Sequence, residues 1–592
     1  MTKRQLQRTR SFLFGLDRSL FCLVVMFASS ALPAVVQAQS LSDTTSFSSL
    51  SEINATNIAG LTLSSGFVTG IAGGQGGAPQ ANGDAIFFES PFPNVIFALD
   101  VSRKPPRVKW TFAPRPDGRA QGLSCCGRAD FGPALAGGIL YANTLDGRTF
   151  ALDAESGGLI WQARLADPAK GETLATPPLL AEGKVFIGNA GGEYGARGWI
   201  AALDAKSGQT IWQKFATGPD AEVGIGAGFA PFYGRDRGAD LGVTSWPPSG
   251  WMQGGGTTPA RLLYDAELRL LFDETGRAAP WNAEQRPGEN RWTSGLFARD
   301  ADTGEARWFV SFGAGDPYGR GGAAQDVLID GFWAGTSRKL LLHPDGNGYL
   351  YVIDRGNGEI LAADAFAETD AAPGIQTRGS VLRTRETRAP EDNVVLRAIC
   401  PAWSGATGEG AAAYSPKSGL LYIPVSRLCM DFEPRHANYL PGTPFIGANI
   451  KMRPPKDGPS GALVAWDVQG RRASWSVPES FPLAGSVLAT AGDLVVYGTL
   501  DGMIKARDSR DGRLLWSFQA GNGIISQPTT FNSADGHQYL AVLSGLGGSF
   551  GMPQRNGLDP LDQTAGLGLA TVLAELPKPK ERSATLHLFR LP

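Results

Sequence analysis

Ala151-Leu152-Asp153-Ala154-Glu155-Ser156-Gly157-Gly158-Leu159-Ile160-Trp161 is written again along the chain. It returns as Ala202-Leu203-Asp204-Ala205-Lys206-Ser207-Gly208-Gln209-Thr210-Ile211-Trp212, and as Ala298-Arg299-Asp300 through Thr303-Gly304 to Trp308. A further copy runs from Ala506-Arg507-Asp508 through Gly512 to Trp516, with looser ones around Asp100, Asp354 and Asp467. Each copy has one physical reading. An apolar strand ends at Asp, whose carboxylate bonds the backbone of a Ser/Thr/Gly turn, and Gly supplies a positive φ. A second strand ends in Trp, whose ring is large enough to cover a seam between sheets. The commonest interval is roughly 50 residues, the span of one four-stranded blade, so the repeats predict an all-β propeller of antiparallel blades.

The intervals from Asp204 to Asp300 and from Asp354 to Asp467 are about double, so each holds a diverged blade or a long insertion. Residues 218–256 are rich in Gly and Pro and read as an insertion on one face; residues 368–391 read as an exposed excursion. Leu61 to Ile71 is expected to be the first strand and Ser583 to Leu591 the last, the two pairing to remove free sheet edges. Residues 560–576 read as a short helix or capping loop.

The 592 residues, with 78 Gly and 40 Pro, suit a ring of small units with many tight turns. A formal net charge of -2 with scattered charges excludes a nucleic-acid footprint. At the N-terminus, Lys3, Arg4, Arg8, Arg10 and Arg18 precede the apolar run Leu20–Ala28, and Val36-Gln37-Ala38 has the small-x-small pattern of a signal peptidase site. Residues 1–38 are therefore expected to be a signal peptide, cut after Ala38. Residues 39–592 would be one exported propeller domain, with no transmembrane anchor after processing. Cys22 leaves with the leader. Cys125, Cys126, Cys400 and Cys429 remain, an even number for an oxidising compartment, with three pairings open. Adjacent Cα atoms lie about 3.8 Å apart, below the usual disulfide range, so a Cys125–Cys126 bond would be strained. The four histidines are far apart in sequence and show no metal-ligand spacing. No nucleophile elbow, phosphate loop or Cys-x-x-Cys-His haem motif is present.

Several longer motifs carry a resemblance. Leu123-Ser124-Cys125-Cys126, Tyr141 to Gly147, Gly192-Glu193-Tyr194-Gly195-Ala196-Arg197-Gly198-Trp199, Ala279 to Gly288 and Tyr497 to Gly502 resemble the pyrroloquinoline quinone (PQQ)-dependent methanol/ethanol dehydrogenases. The likeness runs from about Leu50 to Leu576. It implies an eight-bladed propeller in the periplasm, with PQQ in a central funnel. It also implies a Cys125–Cys126 ring packed on the quinone and a second disulfide, Cys400–Cys429. A metal polarising the quinone carbonyl and a carboxylate base complete the chemistry that the resemblance implies.

The resemblance also marks departures. Glu193 matches a metal ligand. Arg277 stands where the family has a ligand Asn, and Gly319 where it has the base Asp. Gly346 replaces the Arg or Lys supporting that base. Pro259, Gly76, Phe131, Gly408 and Ala484 replace five further residues of the cofactor bed. A guanidinium disfavours a hard cation beside it, so calcium or a lanthanide is not expected. Arg277 is expected to take the metal's electrostatic place and pair with Glu193. Cys125, Cys126, Glu193 and Arg277 are thus the candidate cofactor contacts. Glu193, Asp316 and Glu274 are the candidate catalytic carboxylates, although Asp316, Asp273 and Glu274 also read as plain surface-turn acids.

Two functional readings follow. One is a periplasmic, PQQ-using alcohol oxidoreductase with a rebuilt site and an external acceptor such as a soluble cytochrome c. The other is a cofactor-free propeller that binds a protein partner or ligand at its mouth. PQQ uptake separates them.

Overall fold

The computed structural model describes residues 44–592 except 75, 124–131, 259, 314–316, 321–324, 371–390 and 580. The repeated turns form as their chemistry dictates. Asp153 accepts hydrogen bonds from the Ser156 amide (2.8 Å) and hydroxyl (2.7 Å); Asp204 does the same with Ser207, and Asp300 with Thr303. The glycines that follow, Gly157, Gly208 and Gly304, have φ of 72°, 71° and 72°. Each Trp then docks on the turn of the next sheet. A Cβ on Gly208 would lie 2.6 Å from the Trp161 ring, and one on Gly304 2.6 Å from Trp212. Indole N–H groups seal these joints: Trp161 donates to the Ala205 carbonyl (2.9 Å) and Trp212 to that of Ala301 (3.2 Å).

Among the described residues there are seven four-stranded sheets, a five-stranded sheet that includes Leu494–Gly498, and one three-stranded sheet. The five-stranded one is a four-stranded unit to which Phe47–Ser48 adds in parallel. Apolar clusters join these eight in a cycle. Phe87 and Leu140 share one cluster, Tyr141 and Val185 the next, then Phe186 with Leu271, Leu296 with Leu341, and Leu342 with Ile423. Tyr422 with Val495, Val496 with Val542, and Leu543 with Phe88 complete the return. The propeller closes where the N-terminal strand Thr62–Ala72 pairs antiparallel with the C-terminal strand Ser583–Arg590.

Among the described residues both double intervals hold insertions and no extra blade. Between Asp204 and Asp300, residues 216–258 leave the sheet and form two single-turn helices, Asp220–Val223 and Leu241–Thr244. Between Asp354 and Asp467 lies the three-stranded sheet Leu396–Ile399, Cys429–Pro434 and Ala448–Arg453. The Cys400–Cys429 disulfide, as the resemblance implied, ties this sheet at its edge. The C-terminal cap holds the helices Gly548–Asn556 and Leu569–Val572. No described helix is long and apolar enough to cross a membrane.

Antiparallel strands alternate direction, so the Asp turns between third and fourth strands share one face of the ring. The connections between second and third strands lie on the other face. Glu193, Arg277 and Asp345 all fall in second-to-third connections of three successive sheets, at the mouth.

Candidate active site

Glu193 sits in the 3-10 turn Gly192–Tyr194, bracketed by Gly191 (φ 107°) and Gly195 (φ 75°). The Tyr194 hydroxyl donates to the Gly122 carbonyl at 2.9 Å, which places the turn against the segment leading to the cysteine pair. From the other side, the Phe445 amide donates to the Glu193 carbonyl (2.7 Å). Arg277 follows the strand Leu270–Thr275. Its turn and the Glu193 turn lean on one residue, Thr257: the Gly276 amide donates to the Thr257 carbonyl (2.8 Å). A Cβ on Gly192 would lie 3.1 Å from the Thr257 hydroxyl.

The expected Glu193–Arg277 ion pair is not formed: no contact within 4.0 Å joins them among the described residues. The guanidinium instead donates Nη2 to the Trp403 carbonyl (3.1 Å) and lies 4.9 Å from the centre of the Trp281 ring. A ring face and a carbonyl thus both contribute to holding the cation. The Trp281 and Trp403 rings are themselves 5.9 Å apart.

At three of the positions where the resemblance has lost a polar side chain, backbone or ring stands close to where a Cβ would be. Gly319 has φ 63°, and a Cβ there would meet the same Trp281 ring at 3.0 Å. Gly346 packs on Gly405, and a Cβ would meet the Arg320 carbonyl at 2.7 Å. At Gly408 (φ 59°) the Leu483 carbonyl would be 3.1 Å away.

Asp273 and Glu274 are not surface-turn acids. Both lie inside the strand Leu270–Thr275 and are 3% exposed. Strand alternation sends them to opposite faces. Asp273 meets the buried Arg299 (3.4 Å) and the Thr258 hydroxyl (3.3 Å); burial pushes its carboxyl up, against the pull of Arg299. Glu274 faces the next sheet, where one ligand atom from each of Glu274, Asp326 and His343 falls within 4.8 Å of the others. His343 Nδ1 lies 2.6 Å from Asp326 and Nε2 2.9 Å from Asp345, with the Phe312 ring stacked 3.8 Å from the imidazole. Burial alone would lower the His343 pKa; the two carboxylates outweigh it and raise it to about 10. Sequence spacing alone did not reveal this group. Glu274 comes from one sheet and His343 from the next, and the available signal was only the carboxylates Asp326 and Asp345 bracketing His343.

Asp316, Cys125, Cys126, Phe131 and Pro259 lie outside the described residues.

The family description "PQQ: glucose/ethanol/alcohol dehydrogenase, β-propeller domain" matches residues 38–377 and 454–540. The chain belongs to this PQQ dehydrogenase family. Within the family it is 37% identical to the lanthanide-dependent methanol dehydrogenase of Methylacidiphilum fumariolicum (strain SolV), over 92% of this chain and 90% of that protein. It is 35% identical to methanol dehydrogenase (cytochrome c) subunit 1 of Paracoccus denitrificans, over 92% and 88%. A solved europium-containing methanol dehydrogenase superposes with a TM-score of 0.89 at 36% identity, covering 94% of this chain and 98% of that one.

Proposed function

We propose that the chain is an exported, periplasmic oxidoreductase of the PQQ type whose site is rebuilt around a fixed guanidinium. The observation that carries this is Arg277, held by the Trp403 carbonyl and the Trp281 ring while its turn shares the Thr257 support with that of Glu193. A metal does not fit the position the resemblance gives. Glu193 is the one oxygen donor kept there, Gly319 has no side chain, and Arg277 brings a positive charge into the ligand set. No step is therefore routed through a metal at that position.

PQQ, when bound, supplies an electrophilic o-quinone that accepts hydride. Arg277 would supply the positive charge that its anionic oxygens need, with donors in a fixed fork. Glu193, half-buried at the mouth, would accept a proton from the substrate hydroxyl; Asp316 and Glu274 are the other carboxylates proposed for that role. Electrons would leave to an external carrier such as a soluble cytochrome c, since one relative is named for that acceptor. A second reading is a cofactor-free propeller. The tight surroundings of Gly319, Gly346 and Gly408 favour it, because backbone or ring lies within 3.1 Å of where a Cβ would stand at each.

The test is calorimetric titration of PQQ into the mature protein, in EDTA and again with calcium or a lanthanide. Micromolar binding indifferent to metal is expected, weakened at least tenfold in Arg277→Gln. Binding that requires metal would overturn the guanidinium reading. Absence of binding in every condition would hand the protein to the cofactor-free reading.

A further inference from the structure

The mouth holds a second concentration of charge, on elements other than the turn that carries Glu193. Glu274, Asp326, His343 and Asp345 come from two neighbouring sheets; the first three are 3%, 5% and 0% exposed, and Asp345 is 0% exposed. Three carboxylates are thus gathered around one imidazole in the interior. Their placement differs from a random acidic patch in one respect: the imidazole is oriented. Phe312 stacks on its face with 16° between planes, and Asp345 takes the Nε2 side at 2.9 Å. With its N–H committed to Asp345, a neutral His343 presents the Nδ1 lone pair to Asp326 and Glu274. A carboxylate behind one nitrogen and carboxylate oxygens before the other is the arrangement that supports metal-binding histidines.

We propose that Glu274, Asp326 and His343 form a divalent transition-metal site, with Asp345 as the positioning residue behind the imidazole. One nitrogen and two carboxylate oxygens suit a zinc-class ion; calcium and lanthanides require a larger oxygen shell. Glu274, Asp326 and a neutral imidazole carry two negative charges, which a divalent ion cancels in a place where uncompensated charge is costly. Asp345 keeps a third, held by the His343 Nε2 side (2.9 Å) and by the Asn347 amide, which donates to it at 2.7 Å. The ion would displace the proton that bridges Nδ1 and Asp326, and that proton goes to solvent. The Nδ1–Oδ1 contact would open from 2.6 Å to about 3.3 Å, the separation of tetrahedral ligands at zinc bond lengths. The site shares Glu274 with the carboxylates proposed above for proton transfer, but metal uptake needs no PQQ and is read without it.

The experiment uses the mature protein, stripped with EDTA and dialysed. Zinc is titrated by calorimetry, and cobalt by its visible d–d absorption. One equivalent with micromolar or tighter affinity is expected, together with the intense bands of a low-coordinate cobalt site; millimolar calcium should not displace either ion. Asp326→Asn and His343→Gln should each weaken binding at least 100-fold, and Asp345→Asn about 10- to 100-fold, as for carboxylates behind metal-bound histidines. If those variants do not fold, Glu274→Gln keeps the side-chain volume and should still lose the wild-type affinity. Zinc uptake unchanged by Glu274→Gln or Asp326→Asn, failure of the wild type to bind at 100-micromolar zinc (about a hundredfold above the expected affinity), or displacement by calcium would each overturn the proposal.

Discussion

The two faces of the ring are built on opposite plans. On the Asp-turn face one contact is copied from sheet to sheet: a carboxylate organises a turn, a glycine clears space, and a tryptophan from the preceding sheet fills it. On the mouth face one second-to-third turn is written twice, as Thr144-Leu145-Asp146-Gly147 and Thr499-Leu500-Asp501-Gly502, and the connections that carry the candidate groups each differ. Glu193 lies in a short 3-10 turn, Arg277 under two indoles, and Asp345 against a buried imidazole. Repetition supplies the scaffold, and departure from repetition supplies chemistry. A copied contact costs the ring one joint when broken, because neighbouring joints are independent. A mouth group that is coupled to several charges carries a larger penalty.

The largest expected effect is therefore at the mouth. His343→Leu removes the cation that faces Asp326 and Asp345 and leaves two buried carboxylates uncompensated. Breaking a buried pair in this way costs about 3–5 kcal/mol, read by urea unfolding at pH 7. Replacing Asp326 and Asp345 with leucines as well should recover much of the loss; an equal or larger loss in the triple variant would refute the charge account. The pH dependence has a definite sign. The folded-state pKa of His343 is raised to about 10 from 6.5, so its contribution is complete below about pH 6.5 and fades as pH rises through about 10. Thermal stability of the wild type should fall between pH 7 and 10.5 more than that of His343→Leu.

On the repeated face, two glycines give a matched pair. Gly208 (φ 71°) and Gly183 (φ 72°) share a backbone conformation. A Cβ at Gly208 meets the Trp161 ring at 2.6 Å, whereas one at Gly183 meets nothing within 4 Å. Gly183→Ala should cost about 1–2 kcal/mol for the left-handed backbone alone. Gly208→Ala should cost a further 1–3 kcal/mol, since the indole has to move from a packed seam. Equal losses in urea titrations of the two variants would show that the tryptophan joint adapts freely.

The repeats were legible in the sequence because every part of them is local. Asp, Ser or Thr, Gly and Trp stand within about ten residues, and backbone rules assign each a role. The sequence also pointed to the long insertions and the closing strands. The mouth was less legible because its partners are distant. Trp403, which accepts from Arg277, is 126 residues away, and nothing in spacing ranks it above Glu193 as a partner. Asp273 and Glu274 read as turn acids because two adjacent carboxylates are rare inside a strand. Buried Arg299 on one face, and His343 on the other, are what admit them. That compensation exists only after sheets have packed.

The finest distinction is between two tryptophans in the same structural role. Trp212 rests on Gly304 and its indole donates to Ala301; Trp308 rests on Gly358 in the same way, but among the described residues its Nε1 is buried without a hydrogen-bond acceptor. Replacing either with phenylalanine removes similar apolar area and leaves a similar gap. At Trp212 the substitution also strands a carbonyl that had a partner. At Trp308 it removes a donor that was already unsatisfied, which offsets part of the packing loss. Trp212→Phe should therefore destabilise by about 1 kcal/mol more than Trp308→Phe in parallel urea titrations. A difference of the opposite sign would mean that the indole joint is held by ring packing alone, and that the N–H groups contribute nothing to closing the ring.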